Sequence, residues 1–109
     1  MSKFSALEMW NEIFGKQEEA YDYAGRLMKK AACGNPYSRY EPTIDHIRPR
    51  AKGGKDTRSN IILCHSYTNE EKGNAFPHFK ANGRRFRVEK YKASNPTRKY
   101  TIIEEKGDL

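Results

Sequence analysis

The chain has 109 residues, of which 36% are hydrophobic and 32% charged, and its formal net charge is +7. That length suits one modest domain, which hides about two thirds of the surface its unfolded form exposes. Seven Tyr and five Phe give it aromatic rather than aliphatic bulk, and this balance excludes a disordered chain.

The distribution of charge narrows the choice. Between Lys80 and Lys99 eight cationic residues stand against Glu89 alone, so this stretch carries the whole excess. A basic segment on an otherwise neutral protein has the character of a phosphate-backbone contact surface, the alternative being a solvated face with no partner. No run approaches the ~20 apolar residues of a membrane span. Met1 to Trp10 contains no continuous apolar stretch of the kind a secretory leader has. Cys33 and Cys64 are too few for a disulfide framework, which makes a reducing cytoplasm the default compartment.

Taken in chain order, Ser5 with Glu8 three residues later forms a capping box, and Leu7, Trp10 and Phe14 recur at helical spacing before Gly15. A second helix is predicted from Lys16 to Ala32, with Ala20, Leu27, Met28 and Ala31 on one stripe, an acidic start and a basic finish. Thr43 to Ile47 has the β-branched character of a short strand that Pro49 ends. Arg48 to Ser59 holds Gly53-Gly54, five cationic residues and the single acid Asp56, and reads as a loop. Ile61 to Cys64 is a second short strand. Thr68 and Glu71 form another capping box, predicting a helix from Asn69 to about Ala75. Asn82-Gly83 is a favoured hairpin turn, Phe86 and Val88 alternate with Arg85, Arg87 and Glu89, and Ala93 to Thr97 leads into Tyr100 to Ile103. The tail therefore reads as an antiparallel hairpin or three-stranded sheet.

The segment Ile44 to Gly73 concentrates the residue types that run phosphodiester hydrolysis. The Asp45 carboxylate and the Asn69 amide oxygen are hard ligands suited to Mg²⁺ or Mn²⁺. The imidazole of His46 takes a proton from water as a general base, and a second amide, Asn60, holds it in the needed tautomer. Lys72, one helical turn after Asn69, lies on the same face and holds the phosphate by charge. Taken singly these residues have bland readings: a capped turn at Asp45-His46, a loop amide at Asn60, a flexible connector at Gly53-Gly54. As an ordered set they do not.

The string Asp45-His46-Ile47-x-Pro49, then Gly53-Gly54, Ser59-Asn60-Ile61, Leu63-Cys64 and Asn69-x-x-Lys72-Gly73 resembles the HNH endonuclease signature, in order and in spacing. The resemblance implies a ββα-metal fold, one divalent cation and cleavage of DNA. Carried over, it makes His46 the base, Asp45 and Asn69 metal ligands, Asn60 the residue that orients His46, and Lys72 a phosphate contact. Small stand-alone relatives sit in phage, mobile-element and restriction settings. Many family members also carry two Cys-x-x-Cys knuckles around a structural zinc. Here Lys30 stands where the partner of Cys33 would be and Tyr67 where that of Cys64 would be, so structural zinc is not expected unless His65 and another residue complete the site.

The expectation is one α+β domain over 1–109: two N-terminal helices within 1–34, a ββα-metal core at 43–75, and a basic β-rich tail at 78–105. Its expected function is metal-dependent hydrolysis of DNA by a monomer or homodimer, with Arg48, Arg50 and Lys52 of the loop and Arg84, Arg85 and Arg87 of the tail on the phosphate backbone. The alternatives are a non-catalytic DNA-binding module of the same fold and a nuclease acting on RNA or structured DNA. His65 and His78 have no assigned role.

Overall fold

A computed structural model describes residues 2–91 and 99–107. The predicted loop Ala93 to Thr97, with Lys92 and Arg98 of the basic stretch, lies outside the described residues. The elements run α1 (Ala6–Phe14), β1 (Glu19–Tyr21), β2 (Leu27–Lys29), β3 (Pro42–His46), β4 (Ile61–His65), α2 (Ser66–Lys72), β5 (His78–Ala81), β6 (Arg84–Lys90) and β7 (Tyr100–Glu105). Short 3-10 turns occupy Lys30–Ala32, Arg50–Lys52 and Arg58–Asn60. Among the described residues no helix is long and apolar enough to cross a membrane.

α1 begins as expected, with the Ser5 hydroxyl accepting from the Glu8 amide, and Gly15 closes it at φ +59°. Trp10 and Met9 point inward and are almost fully buried.

The second predicted helix does not form. Lys16 to Ala32 instead contains the antiparallel pair β1-β2, in register Glu19 with Lys29 and Ala20 with Met28. Local turn chemistry decides this. Oδ1 of Asp22 accepts from the amides of Ala24 and Arg26, and Gly25 sits at φ +85°, a conformation that cannot continue a helix. The charges that matched a helix dipole pair across the hairpin, with Lys29 3.7 Å from Glu19. The N-terminal part therefore holds one helix and one hairpin.

β3 and β4 pair antiparallel, Ile44 opposite Leu63 and His46 opposite Ile61, and α2 follows β4 directly. α2 starts three residues earlier than predicted, and Thr68 is not its cap. Nδ1 of His65 accepts from the Tyr67 amide in that role, while Arg26 reaches over from the β1-β2 hairpin to donate to Thr68 Oγ1 and to Glu71. Three strands in the order β5-β6-β7 form the C-terminal antiparallel sheet, turned at Asn82-Gly83 as predicted.

Two apolar clusters hold the β3-β4 pair from different sides. Ile61 and Leu63, with Ile44 beside them, pack on Met9, Trp10 and Met28. Ile47, with Ile62 beside it, packs on Phe79, Phe86, Val88 and Tyr100 of the C-terminal sheet. Each such buried side chain contributes roughly 1.5 to 3 kcal/mol relative to exposure, so both flanks stabilise the pair that carries Asp45 and His46.

Candidate active site

Successive side chains of a strand face opposite ways, and β3 uses both faces. Ile44 turns toward α1, whereas Thr43 and Asp45 turn toward α2. On α2, Asn69 and Lys72 are three residues apart and both reach β3. Nδ2 of Asn69 donates to Thr43 Oγ1 at 3.1 Å and to the Ile44 carbonyl at 3.2 Å. Nζ of Lys72 donates to the His46 carbonyl at 3.1 Å and stands 3.1 Å from Oδ2 of Asp45. A cleft of about 380 Å³ opens beside this junction, lined by Asp45, His46 and Asn69 together with Ser2, Pro49 and Arg50.

Asp45 is buried, and burial pushes its carboxyl above the usual range while the Lys72 ammonium and His46 pull the other way. Apart from the Lys72 ammonium at 3.1 Å, Oδ2 has no partner among the described residues. Lys72 itself is closed off, its side chain 0% exposed and its ammonium 5.5 Å from the centre of the Phe79 ring. It lies behind the cleft wall. Its ammonium, expected at the phosphate, is shared here between a carboxylate, a carbonyl and a ring face.

Asn60 is also displaced from its expected partner. Its Oδ1 accepts from the Arg48 amide at 2.9 Å, and its Nδ2 donates to the carbonyls of Arg48 and Lys55 at 3.1 and 2.8 Å. Its own carbonyl accepts from the Ile47 amide. Asn60 therefore clasps the loop between β3 and β4 and does not touch the His46 ring. Gly53 and Gly54 belong to the same clasp. Gly53 turns the chain at φ +89°, and a Cβ on Gly54 would fall 1.7 Å from the Arg48 carbonyl oxygen.

The carboxylate that does meet His46 is Asp56. Its Oδ1 lies 2.8 Å from Nε2 of His46. The same oxygen accepts from the Ser2 hydroxyl at 2.6 Å, and Oδ2 accepts from the Lys3 amide at 2.7 Å. The Ser2 hydroxyl first, then the Lys3 amide and His46, hold the Asp56 carboxyl well below the usual carboxylate range. Sequence reasoning passed over Asp56. The available signal was that it is the lone acid in a loop of five cations.

His65 is 3% exposed, with Nδ1 accepting from the Tyr67 amide and Nε2 donating to the Arg39 carbonyl at 2.6 Å. Both nitrogens are committed to backbone, so His65 cannot complete a zinc site in this arrangement. Cys33 is half-buried against the α1 cluster and Cys64 is fully buried, both as free thiols that burial pushes above the usual range. Among the described residues no three His, Cys, Asp or Glu side chains gather as a metal-binding group. His78 is exposed and lies 3.3 Å from Glu105.

The expected phosphate contacts divide into two groups. Arg50 lines the cleft and Lys52 is exposed next to it. Arg48 is half-buried, donating from Nε to the Lys52 carbonyl and covering the Phe76 ring at 5.7 Å. On the C-terminal sheet the basic face is interleaved with Glu89 and with two acids beyond the charge count from Lys80 to Lys99, Glu104 and Glu105. Arg84 lies 3.9 Å from Glu104, Arg87 lies 2.8 Å from Glu89, and Arg85 is opposite Glu105 in register.

Comparison with curated proteins and with solved structures returned no match. The model of one family, described as HNH endonuclease, matches residues 31–75, which span β3, β4, α2 and the clasped loop between the strands. Residues 31–75 of this chain are thus similar to the HNH endonuclease family, a family of nucleases.

Proposed function

We propose that the chain is a metal-dependent DNA endonuclease of the ββα-metal type, with β3, β4 and α2 as that motif and the whole chain as one domain. The observation that carries this reading is the convergence of Asp45, His46 and Asn69 on one cleft from a strand and the helix packed on it.

The residues fit a hard divalent cation such as Mg²⁺ or Mn²⁺, with Asp45 and Asn69 as its protein ligands. Because β3 fixes the amide nitrogen of Asn69, Oδ1 is the atom left for a cation. With Oδ2 of Asp45 turned to Lys72, Oδ1 of the carboxylate is likewise the one left. Two protein oxygens leave most of the coordination shell to water and phosphate, as such ions commonly have it. The cation, when bound, supplies Lewis-acid stabilisation of charge on the scissile phosphate.

The chain's own groups do the rest. His46 takes the proton of the attacking water. Lys72 fixes the backbone of His46 and the rotamer of Asp45 from behind, and Asn60 holds the loop that closes the cleft. Arg50 and Lys52 meet the phosphate backbone, which positions the substrate without reading its sequence.

The test is incubation of purified protein with supercoiled plasmid, with Mg²⁺, with Mn²⁺ and with chelator, beside His46→Ala. Metal-dependent nicking by wild type and its loss in His46→Ala are expected. Plasmid left intact under every metal would sink the enzyme reading, and equal cleavage by His46→Ala would remove His46 as the base.

A further inference from the structure

The two buried or half-buried histidines of this chain are held in different ways. Both ring nitrogens of His65 are bound to backbone. His46 lines the cleft and has its Nε2 against a carboxylate that is itself held by two further donors. A carboxylate only accepts, so the contact requires the proton on Nε2 and leaves the lone pair on Nδ1. The buttress is assembled from three places in the sequence: Ser2 and Lys3 ahead of α1, Asp56 in the β3-β4 loop, and His46 at the end of β3. Asp56 and His46 side chains are only 14% and 16% exposed, so neither is a loosely tethered surface group.

We propose that Asp56 is a positioning residue for His46, fixing the imidazole as its Nε2–H tautomer with Nδ1 as the nitrogen that takes the proton. Ser2 and Lys3 in turn fix Asp56. The proposal rests on the reading of His46 as the base and transfers to Asp56 the orienting role that the sequence had suggested for Asn60. A carboxylate behind an imidazole also favours the imidazolium that forms when the proton is taken, which is the usual benefit of such an arrangement. Ionisation of Asp56 is secured independently of His46, since the Ser2 hydroxyl and the Lys3 amide already hold its carboxyl low.

A purely structural Asp56 would tie the N-terminal segment to the loop and have no effect on the ring of His46. The discriminating measurement is therefore a nitrogen-15 imidazole spectrum of metal-free protein, taken at alkaline pH where the His46 signal is that of the neutral ring. Wild type is expected to show His46 as the Nε2–H tautomer. Asp56→Ala should convert it to a mixture, and Asp56→Glu should restore part of the preference. Ser2→Ala, which removes one donor to Asp56 and spares the loop, should shift it less. In plasmid nicking, Asp56→Ala should lower kcat by about 10 to 100-fold, with KM for DNA changed less than about twofold. An unchanged His46 spectrum in folded Asp56→Ala overturns the proposal whatever the cleavage result. If wild type cuts no plasmid, the nuclease reading fails separately, and the spectrum still decides whether Asp56 sets the tautomer.

Discussion

The Lys72 ammonium lies 3.1 Å from Oδ2 of Asp45, and the two side chains are 0% and 7% exposed. A pair this enclosed is not interchangeable with a surface ion pair. Removing one partner leaves the charge of the other uncompensated at a largely buried position, at a cost of about 3 to 5 kcal/mol. Lys72→Met, close in shape but uncharged, should therefore lower stability by that amount in urea denaturation. A loss below about 1 kcal/mol would show that the pair behaves as a surface ion pair.

Phosphate contacts and buried braces have different signatures in salt. Each cation that displaces a counterion from duplex DNA contributes about 0.9 to the slope of log affinity against log salt. Arg50→Ala and Lys52→Ala, at the cleft, should each weaken DNA binding and flatten that slope by roughly one. Lys72→Met should leave the slope of the folded protein unchanged while abolishing cleavage. A slope that falls for Lys72→Met would return Lys72 to the phosphate.

Asn60 makes three side-chain hydrogen bonds, all to the backbone of the loop it closes. Asn60→Ala leaves part-buried peptide groups of Arg48 and Lys55 without these partners, which should cost about 1 to 3 kcal/mol. Asn60→Asp should fare no better, because it sets a carboxylate oxygen against the carbonyls of Arg48 and Lys55. Gly54→Ala should destabilise through a different cause, since its methyl group would fall 1.7 Å from the Arg48 carbonyl oxygen and force the backbone to move. Denaturant midpoints check all three, and wild-type values for Gly54→Ala would show that the loop yields without strain.

Glu71 accepts from the Arg26 guanidinium and the Asn82 amide, which hold its carboxyl below the ordinary 4.5. A carboxyl lowered on folding contributes stability above its unfolded pKa and loses it as pH falls through the folded value. Glu71 is 45% exposed, so screening limits the contribution to about 0.5 kcal/mol. Glu71→Gln should thus lower the urea midpoint slightly at neutral pH. The difference from wild type should shrink below pH 4.5 and vanish once folded Glu71 is protonated. A gap that widens in acid would reverse the assigned sign.

What the sequence made legible follows from how far each signal reaches. Asp45, His46 and Asn69 could be placed together because the ordered string that holds them resembles the HNH signature, and the Asn82-Gly83 turn announced itself in two residues. Lys16 to Ala32 misled because Ala20 and Met28 fit a helical stripe and a hairpin face alike, and the Asp22 carboxylate on two nearby amides, with Gly25 at positive φ, separates the alternatives. The cap of α2 was misassigned because Thr68 and Glu71 have the right spacing for a box, yet Arg26, more than forty positions earlier, engages both side chains. The partner of His46 was missed for the same reason in stronger form. Nothing local distinguishes Asp56 from a solvated loop acid until the fold brings Ser2 and Lys3 to it.

Ile47 follows His46 directly and is buried among Phe79, Phe86, Val88 and Tyr100, none of which falls within residues 31–75. A transplant of that segment into another protein would move Asp45, His46, Asn60 and Asn69 intact, and would set Ile47 and Ile62 against water. On the other flank Ile61 and Leu63 would lose Met9, Trp10 and Met28. Resemblance and packing thus have different borders in this molecule: the stretch that matches the family is shorter than the set of residues whose side chains pack around it.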